Sequence, residues 1–197
     1  MRYRLLTVAA VAAVLGATSV AAAGPGGTEN IMFKSRSDSV SASAFDVTTQ
    51  VQAYLFVNCW DDIVTGNSQG EVTVWVVDFA TSTTVLSMYC AGEAFANAVR
   101  VTGNGGAIVT ATLDPTAPEC TGFAPAPVVL SLTAKPDGMF SSSSSGTETT
   151  TDPTGTYRYK NQTSSYSAIF TGAFPEGFDS LDGVANQWRR FNKERAR

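Results

Sequence analysis

The stretches "VQAYLFVNCW" (residues 51–60) and "EVTVWVVDFA" (residues 71–80) decide the fold of this chain. In residues 51–60 every second residue is apolar or small, and the side chains between them are polar or aromatic. In residues 71–80 Val72, Val74 and Val76 alternate with Thr73, Trp75, Val77 and Phe79. The residues of the apolar face are Val51, Ala53, Leu55, Val57, Cys59, Val72, Val74 and Val76. Side chains of a β-strand alternate between two faces, so this period of two predicts two half-buried strands.

The same alternation recurs on either side of these two strands. It is present in "VSASAFDV", "TTVLSMYC", "GGAIVTATLD", "PVVLSLTA" and "YRYKNQTSSYSAIFTGAF", which polar or Gly- and Pro-rich turns separate. Several short alternating segments with regular turns are typical of all-β domains. The sequence therefore predicts an antiparallel β-sandwich, jelly-roll or Ig-like, of seven to nine strands over residues 39–178. Residues 138–155, rich in Ser and Thr, are expected to be a mobile loop in it.

The first 23 residues have the pattern of a secretory signal peptide. Arg2 and Arg4 precede an apolar run, and "VAAAG" supplies the small residues at which signal peptidase cleaves. The run is too short for a comfortable membrane-spanning helix. We expect a secreted or periplasmic protein, exported from a bacterium and without a transmembrane segment once the leader is removed. Residues 24–38 are expected to be a flexible lead-in.

The C-terminal segment, residues 179–197, predicts the one helix of the mature protein. Leu181, Val184, Ala185, Trp188 and Phe191 recur at helical spacing, and basic residues follow them, where a helix dipole favours cations. Such a helix packs on its own sheet or acts as an interfacial anchor. In the second case, the residues that would contact an anionic surface are Trp188, Arg189, Arg190, Lys193 and Arg195.

Charge and residue content exclude several functions. The chain has 13 basic and 17 acidic residues, and the acidic body argues against a nucleic-acid partner. It has no histidine, which removes the commonest general base and most zinc sites. We therefore expect no cofactor and no catalytic residues, and a binding or surface-associated module rather than an enzyme.

Three cysteines, Cys59, Cys90 and Cys120, suit an oxidising compartment in which two pair and one remains. In a simple meander the ends of the strands that carry Cys59 and Cys90 are about 10 Å apart, too far for a bridge. This favours a disulfide that involves Cys120, with either partner open. The remaining thiol is expected to be buried and unreactive.

Carboxylates and aromatic rings are the other candidate groups. Asp61, Asp62 and Glu71 are candidate calcium ligands with a spacing that fits no known calcium loop, so a solvated acidic turn is the favoured interpretation. A carboxylate-based hydrolase would need two converging acids, and the candidates are Asp46, Glu71, Asp78 and Glu93.

The aromatic residues of the strands either fill the core or stack on sugar rings. Trp75, Tyr157 and Tyr159 are the candidate sugar contacts. Tyr157 and Tyr159 flank Arg158 and should share one face of a strand.

Three fragments, "GGAIVTATLD", "VVLSLTAKPDG" and "SSYSAIFTGAF", together resemble small exported bacterial β-sandwich proteins of unassigned function. The resemblance covers the second half of the mature chain, and Ala134 stands where those proteins have an aromatic residue. It implies the β-sandwich fold and no activity. The expected functions are therefore binding to an unknown ligand, binding to a glycan, or association with the cell envelope through the basic segment.

Overall fold

The computed structural model describes residues 34–63, 65–151, 154–170 and 180–191. They form ten strands and one 3-10 turn, Glu93–Phe95. The strands are β1 (Lys34–Asp46), β2 (Val51–Asp62), β3 (Ser68–Asp78), β4 (Thr83–Gly92), β5 (Val99–Val101), β6 (Ala107–Leu113), β7 (Cys120–Phe123), β8 (Val128–Thr151), β9 (Thr154–Phe170) and β10 (Ser180–Phe191). The predicted leader, most of the lead-in, Lys193 and Arg195 lie outside these residues.

All ten strands belong to one sheet with the order β5-β6-β8-β9-β10-β1-β2-β3-β4-β7. Every neighbouring pair is antiparallel, so the prediction of an all-β antiparallel fold is confirmed. The described strands form a single open sheet, with β5 and β7 at its two edges.

One face of the sheet, here called the inner face, carries the core. The apolar residues predicted to share a face in β2 and β3 are all buried on it, and β1, β6 and β8 add their own alternate residues. The largest aliphatic ones are Val40, Leu55, Leu86, Leu113, Leu130 and Leu132. The sheet curls so that β5 lies against β1, β2 and β10. On the opposite, outer face the side chains of β2 are partly exposed, as the alternating burial of this strand shows.

The predicted C-terminal helix is wrong, because residues 180–191 form strand β10 between β9 and β1. The apparent helical stripe combined residues from both faces of this strand. Leu181 and Ala185 are buried on the inner face, whereas Val184 and Trp188 lie on the outer face. At Gly183 an added Cβ would lie 2.2 Å from the carbonyl oxygen of Ser41, so the neighbouring strand approaches too closely for any side chain.

The Ser- and Thr-rich stretch that was expected to be a loop forms the second half of β8 and the start of β9, which together make a long hairpin. β8 and β9 pair from Leu132–Phe170 out to Thr151–Thr154, with one shift of register between Pro136 and Ser141. Short hydroxyl side chains fit on the surface of a β-sheet, and Thr has a high preference for β-strands. Likewise, residues 34–38 of the predicted lead-in belong to β1.

Cys90 and Cys120 form the disulfide. They occupy opposite positions of β4 and β7, with Cα atoms 4.0 Å apart. This confirms that the pair involves Cys120 and fixes its partner. Cys59 is the free, buried cysteine.

Candidate binding surfaces of the sheet

The outer face brings two tryptophans to either side of a serine. Ser37 of β1 is directly opposite Trp188 of β10 and also opposite Trp60 of β2. All three side chains are half-buried. Neighbouring strands are about 4.8 Å apart, so the two indoles stand about 10 Å apart with the small serine between them. The result is a shallow groove with aromatic walls, here called the tryptophan groove.

A polar row follows the tryptophan groove two residues further along the strands. It consists of Asn186, Ser39, Asn58 and Glu71, which are successive cross-strand partners. Ser37 Oγ donates to Asn58 Oδ1 at 2.9 Å, and Asn58 Nδ2 donates to Glu71 Oε1 at 3.3 Å. Amide, hydroxyl and carboxylate groups thus form a network of donors and acceptors beside the indoles.

Trp75, predicted as a sugar contact, lies further along the same outer face. It is half-buried and pairs with Tyr54 of β2. Tyr89 of β4 is 44% exposed and donates from its hydroxyl to Glu71 Oε2 at 3.4 Å. Aromatic rings therefore stand on both sides of the polar row, with Trp60 and Trp188 on one side.

The predicted pair Tyr157 and Tyr159 shares a face, but only one of the two rings remains at the surface. Tyr157 is 1% exposed. The guanidinium of Arg190 lies 5.0 Å from the ring centre of Tyr157 and 4.8 Å from that of Trp188. Arg190 also forms an ion pair with Glu148. Tyr159 is half-buried, and its ring lies against Gly146.

The inner face carries a buried polar network where the core ends. Asp38, 4% exposed, accepts hydrogen bonds from Arg36 Nε at 2.9 Å, from the backbone N–H of Val101 at 2.9 Å and from Gln187 Nε2 at 3.2 Å. Gln187 Nε2 also donates to the carbonyl of Val101 at 2.9 Å. Through Val101, these hydrogen bonds connect edge strand β5 to β1 and β10. The hydrogen bond to Asp38 raises the pKa of Arg36.

A cleft of about 410 Å³ opens beside this network and is lined in part by Arg36, Asp61 and Arg100. Cys59 lies at its base, where its thiol donates to the carbonyl of Phe95 at 3.2 Å. Burial raises the pKa of Cys59 to about 11. The thiol is therefore protonated near neutrality and is a poor nucleophile.

The candidate carboxylates do not converge. Asp61 faces the cleft, Asp62 accepts from the hydroxyl of Thr65 in the following turn at 2.6 Å, and Glu71 belongs to the outer polar row. Among residues 34–63, 65–151, 154–170 and 180–191, no three His, Cys, Asp or Glu side chains group as metal ligands would.

Two of the proposed hydrolase acids, Asp46 and Asp78, cap turns. The backbone N–H of Thr48 lowers the pKa of Asp46, and the Thr81 hydroxyl lowers that of Asp78. A general acid needs a raised pKa. Neither group suits that role, and Glu93 begins the 3-10 turn.

The residues assigned to an anionic surface divide between the two faces. Trp188 and Arg190 are on the outer face of β10, whereas Arg189 is on the inner face opposite Arg36. Within the described part of the chain, no helix has the length and apolarity needed to cross a membrane.

Comparison with protein-family models, with curated proteins and with solved structures found no match for this chain.

Sequence reasoning missed the tryptophan groove, although one signal for it was visible. Ser35, Ser37, Ser39, Ser41 and Ser43 alternate along β1, which marks a stripe of small polar residues on one face. The strand that supplies the second wall was interpreted as a helix. The pairing of Trp188 with Ser37 was therefore not available from the pattern.

Proposed function

We propose that this protein is a secreted, non-enzymatic glycan-binding module and that the tryptophan groove is its binding surface. The observation that carries the proposal is the placement of Trp60 and Trp188 on either side of Ser37, next to a polar row. The proposal includes a sandwich-like arrangement, in which the curled sheet buries its inner face and leaves the outer face to the ligand.

Aromatic faces and amide or hydroxyl groups are the two kinds of contact that a sugar ring uses. The apolar C–H face of a pyranose packs on an indole, and its hydroxyls exchange hydrogen bonds with groups such as Asn58 and Glu71. The guanidinium of Arg190 over one face of Trp188 holds that indole in position. A rigid strand scaffold supports both walls, which reduces the entropy lost on binding.

The outer face favours a neutral glycan. The cation beside the tryptophan groove, Arg190, is paired with Glu148, and Glu71 adds negative charge to the polar row. An acidic sugar would face Glu71 without a free cation beside the described part of the groove.

The test is binding of the mature protein to an array of neutral and acidic oligosaccharides, followed by titration calorimetry with the best neutral ligand. Trp60→Ala should weaken binding at least about tenfold, since a buried aromatic anchor contributes about 2 kcal/mol or more. Ile108→Ala is the matched control, because Ile108 is an exposed apolar residue of the same face on β6. It should leave the affinity unchanged.

Two results would count against the proposal. One is a folded protein that binds no glycan on the array. The other is equal binding by wild type and Trp60→Ala, which would move the ligand away from the tryptophan groove.

A further inference from the structure

A cluster of cations occupies the inner face beyond the end of the core. It consists of Arg36, Arg158, Lys160 and Arg189, here called the basic patch. Lys160, Arg189 and Arg36 are successive cross-strand partners on β9, β10 and β1. Arg158 is two residues from Lys160 on the same face of β9. The structure describes eight Lys and Arg residues, so half of them lie in this patch of an acidic protein.

The carboxylates near the patch lie at its Arg36 end: Asp38 is on the same strand, and Asp61 is directly opposite Arg36 on β2. Arg158, Lys160 and Arg189 have no ion pair among the described residues. Arg36 is the one member with an ion pair, to Asp38, and the second ion pair among the described residues joins Arg190 to Glu148 on the outer face. Like charges at directly opposite strand positions destabilise a sheet. Lys160 and Arg189 are directly opposite each other, and the energetic cost of this pair is one that a bound anion would offset.

One donor atom of the patch lacks an acceptor among the described residues. Nε of Arg189 is buried, and no hydrogen-bond partner for it lies in the described residues. A guanidinium N–H without a partner is costly to bury. Its planar fork is suited to the two oxygens of a carboxylate or sulfate group.

The patch is recessed, which limits what can reach it. The side chain of Arg36 is 25% exposed and donates to the carbonyl of Val101, in the folded-over strand β5, at 3.1 Å. A flat bilayer would not enter beside β5, whereas a narrow chain could lie along the exposed Lys160 and Arg158 toward Arg189. Moreover, Trp188 faces away from the patch, so an interfacial anchor that needs an aromatic ring and these cations on one side does not form.

The chemistry around the cations favours a polysaccharide over a nucleic acid. On β8 and β9 the inner-face neighbours of Lys160 and Arg158 are polar and non-aromatic: Gln162, Ser143, Ser145 and Thr147. On β10 the residue directly opposite Arg158 is Phe191. Binding of single-stranded nucleic acid uses aromatic rings that stack on bases. Amide and hydroxyl groups instead suit the hydroxyls of a sugar chain.

We propose that the basic patch binds the carboxylate or sulfate groups of an acidic polysaccharide. The site is separate from the tryptophan groove, since the two lie on opposite faces of β10 and β1. Arg189 binds the anionic group at the recessed centre, and Lys160 and Arg158 bind the next charges along the polymer. The inference does not depend on glycan binding at the outer face.

The experiment measures binding of fluorescently labelled dextran sulfate to the full mature chain by anisotropy at low ionic strength, with uncharged dextran of equal length as the reference polymer. Lys160→Gln and Lys135→Gln form a matched pair, because both remove one exposed lysine from a strand, and Lys135 lies outside the patch. We expect Lys160→Gln to weaken binding about two- to fivefold, as loss of one exposed ion pair does.

Arg189→Gln should weaken binding about tenfold or more, because its charge is partly desolvated. Arg189→Lys keeps the charge and should restore part of the affinity, which distinguishes loss of a contact from loss of the fold. Trp60→Ala should bind dextran sulfate as wild type does, so failure of the outer-face proposal would be recognised separately.

Five outcomes would overturn the inference. The first two are a folded protein that does not bind dextran sulfate, and equal losses of dextran sulfate affinity in Lys160→Gln and Lys135→Gln. The third is binding of uncharged dextran as tight as that of dextran sulfate. The fourth is binding of phosphatidylglycerol vesicles that depends on Lys160 as strongly as dextran sulfate binding does. Displacement of the polymer by equimolar inorganic sulfate would also do so, because the site would then hold a single ion rather than a chain.

Discussion

The inner and outer faces of β10, β1 and β2 belong to the same strands, yet they differ in almost every physical respect. At one level of the sheet the inner face carries Gln187, Asp38 and Cys59, all buried. One residue further along, the outer face carries Trp188 and Trp60, both half-buried. The inner groups bond to one another and to β5, whereas the outer groups point to solvent.

In these strands, we therefore expect the inner-face residues to contribute to stability and the neighbouring outer-face residues to contribute to ligand binding. Substitutions on the inner face at this level should change the free energy of unfolding, because they remove bonds that hold β5. Substitutions on the outer face should change ligand affinity and leave the fold intact. Neighbouring residues in the sequence thus serve as controls for each other.

The largest expected effect is at Asp38. Asp38→Ala should destabilise the protein by about 3 kcal/mol, because it leaves Arg36 without its partner at the edge of the core. Urea unfolding followed by tryptophan fluorescence would measure it. Ser37→Ala, one residue away on the outer face, should cost less than about 1 kcal/mol. Equal costs for the two variants would remove the distinction between the faces.

The next effect, at Gly183, tests the strand itself. In a helix, Gly183→Ala would stabilise the protein by about 1 kcal/mol. In β10 the new Cβ would lie 2.2 Å from the carbonyl oxygen of Ser41, so the variant should instead lose about 2 kcal/mol. The sign of the change in unfolding free energy decides between these structures. Val184→Ala, on the outer face and 40% exposed, should change it by less than about 1 kcal/mol.

A third effect is the pH dependence that Cys59 contributes, which appears only in alkaline solution. Its pKa in the fold is about 11, raised from 9.0 by burial, so the fold favours the neutral thiol. This contribution is complete below pH 9 and is lost as the pH rises through 11. Wild type should therefore lose more stability than Cys59→Ala between pH 8 and pH 11.

The pair of proteins isolates the thiol, since burial also raises the pKa of Tyr166, which both retain. Parallel losses of stability in wild type and Cys59→Ala over this pH range would mean that the Cys59 thiol is not held neutral by the fold.

The sequence predicted those strands whose inner residues are consistently apolar. β2 and β3 bury the alternate residues that the pattern assigned to one face, because a period of two is unambiguous when valines and leucines repeat it. In β10 the inner face carries Leu181, Gly183, Ala185 and Gln187, a weak apolar series. The outer Val184 and Trp188 then produced a false helical period.

The binding surfaces were less predictable because they depend on pairing between distant strands. Trp188 and Trp60 are 128 positions apart in the sequence and meet only because β10 and β2 both pair with β1. The basic patch likewise combines residues of β1, β9 and β10. Alternation assigns a residue to a face, but it does not identify the neighbouring strand.

The disulfide has a consequence for how the molecule avoids self-association. β7 pairs with only four residues of β4, Ser87–Cys90. The disulfide Cys90–Cys120 links the two strands covalently at one end of this pairing. An uncovered strand offers its free N–H and C=O groups to any other chain. The disulfide between Cys90 and Cys120 therefore helps to prevent β4 from pairing with strands of other molecules. The tendency of the protein to aggregate should accordingly depend on the redox state of its surroundings.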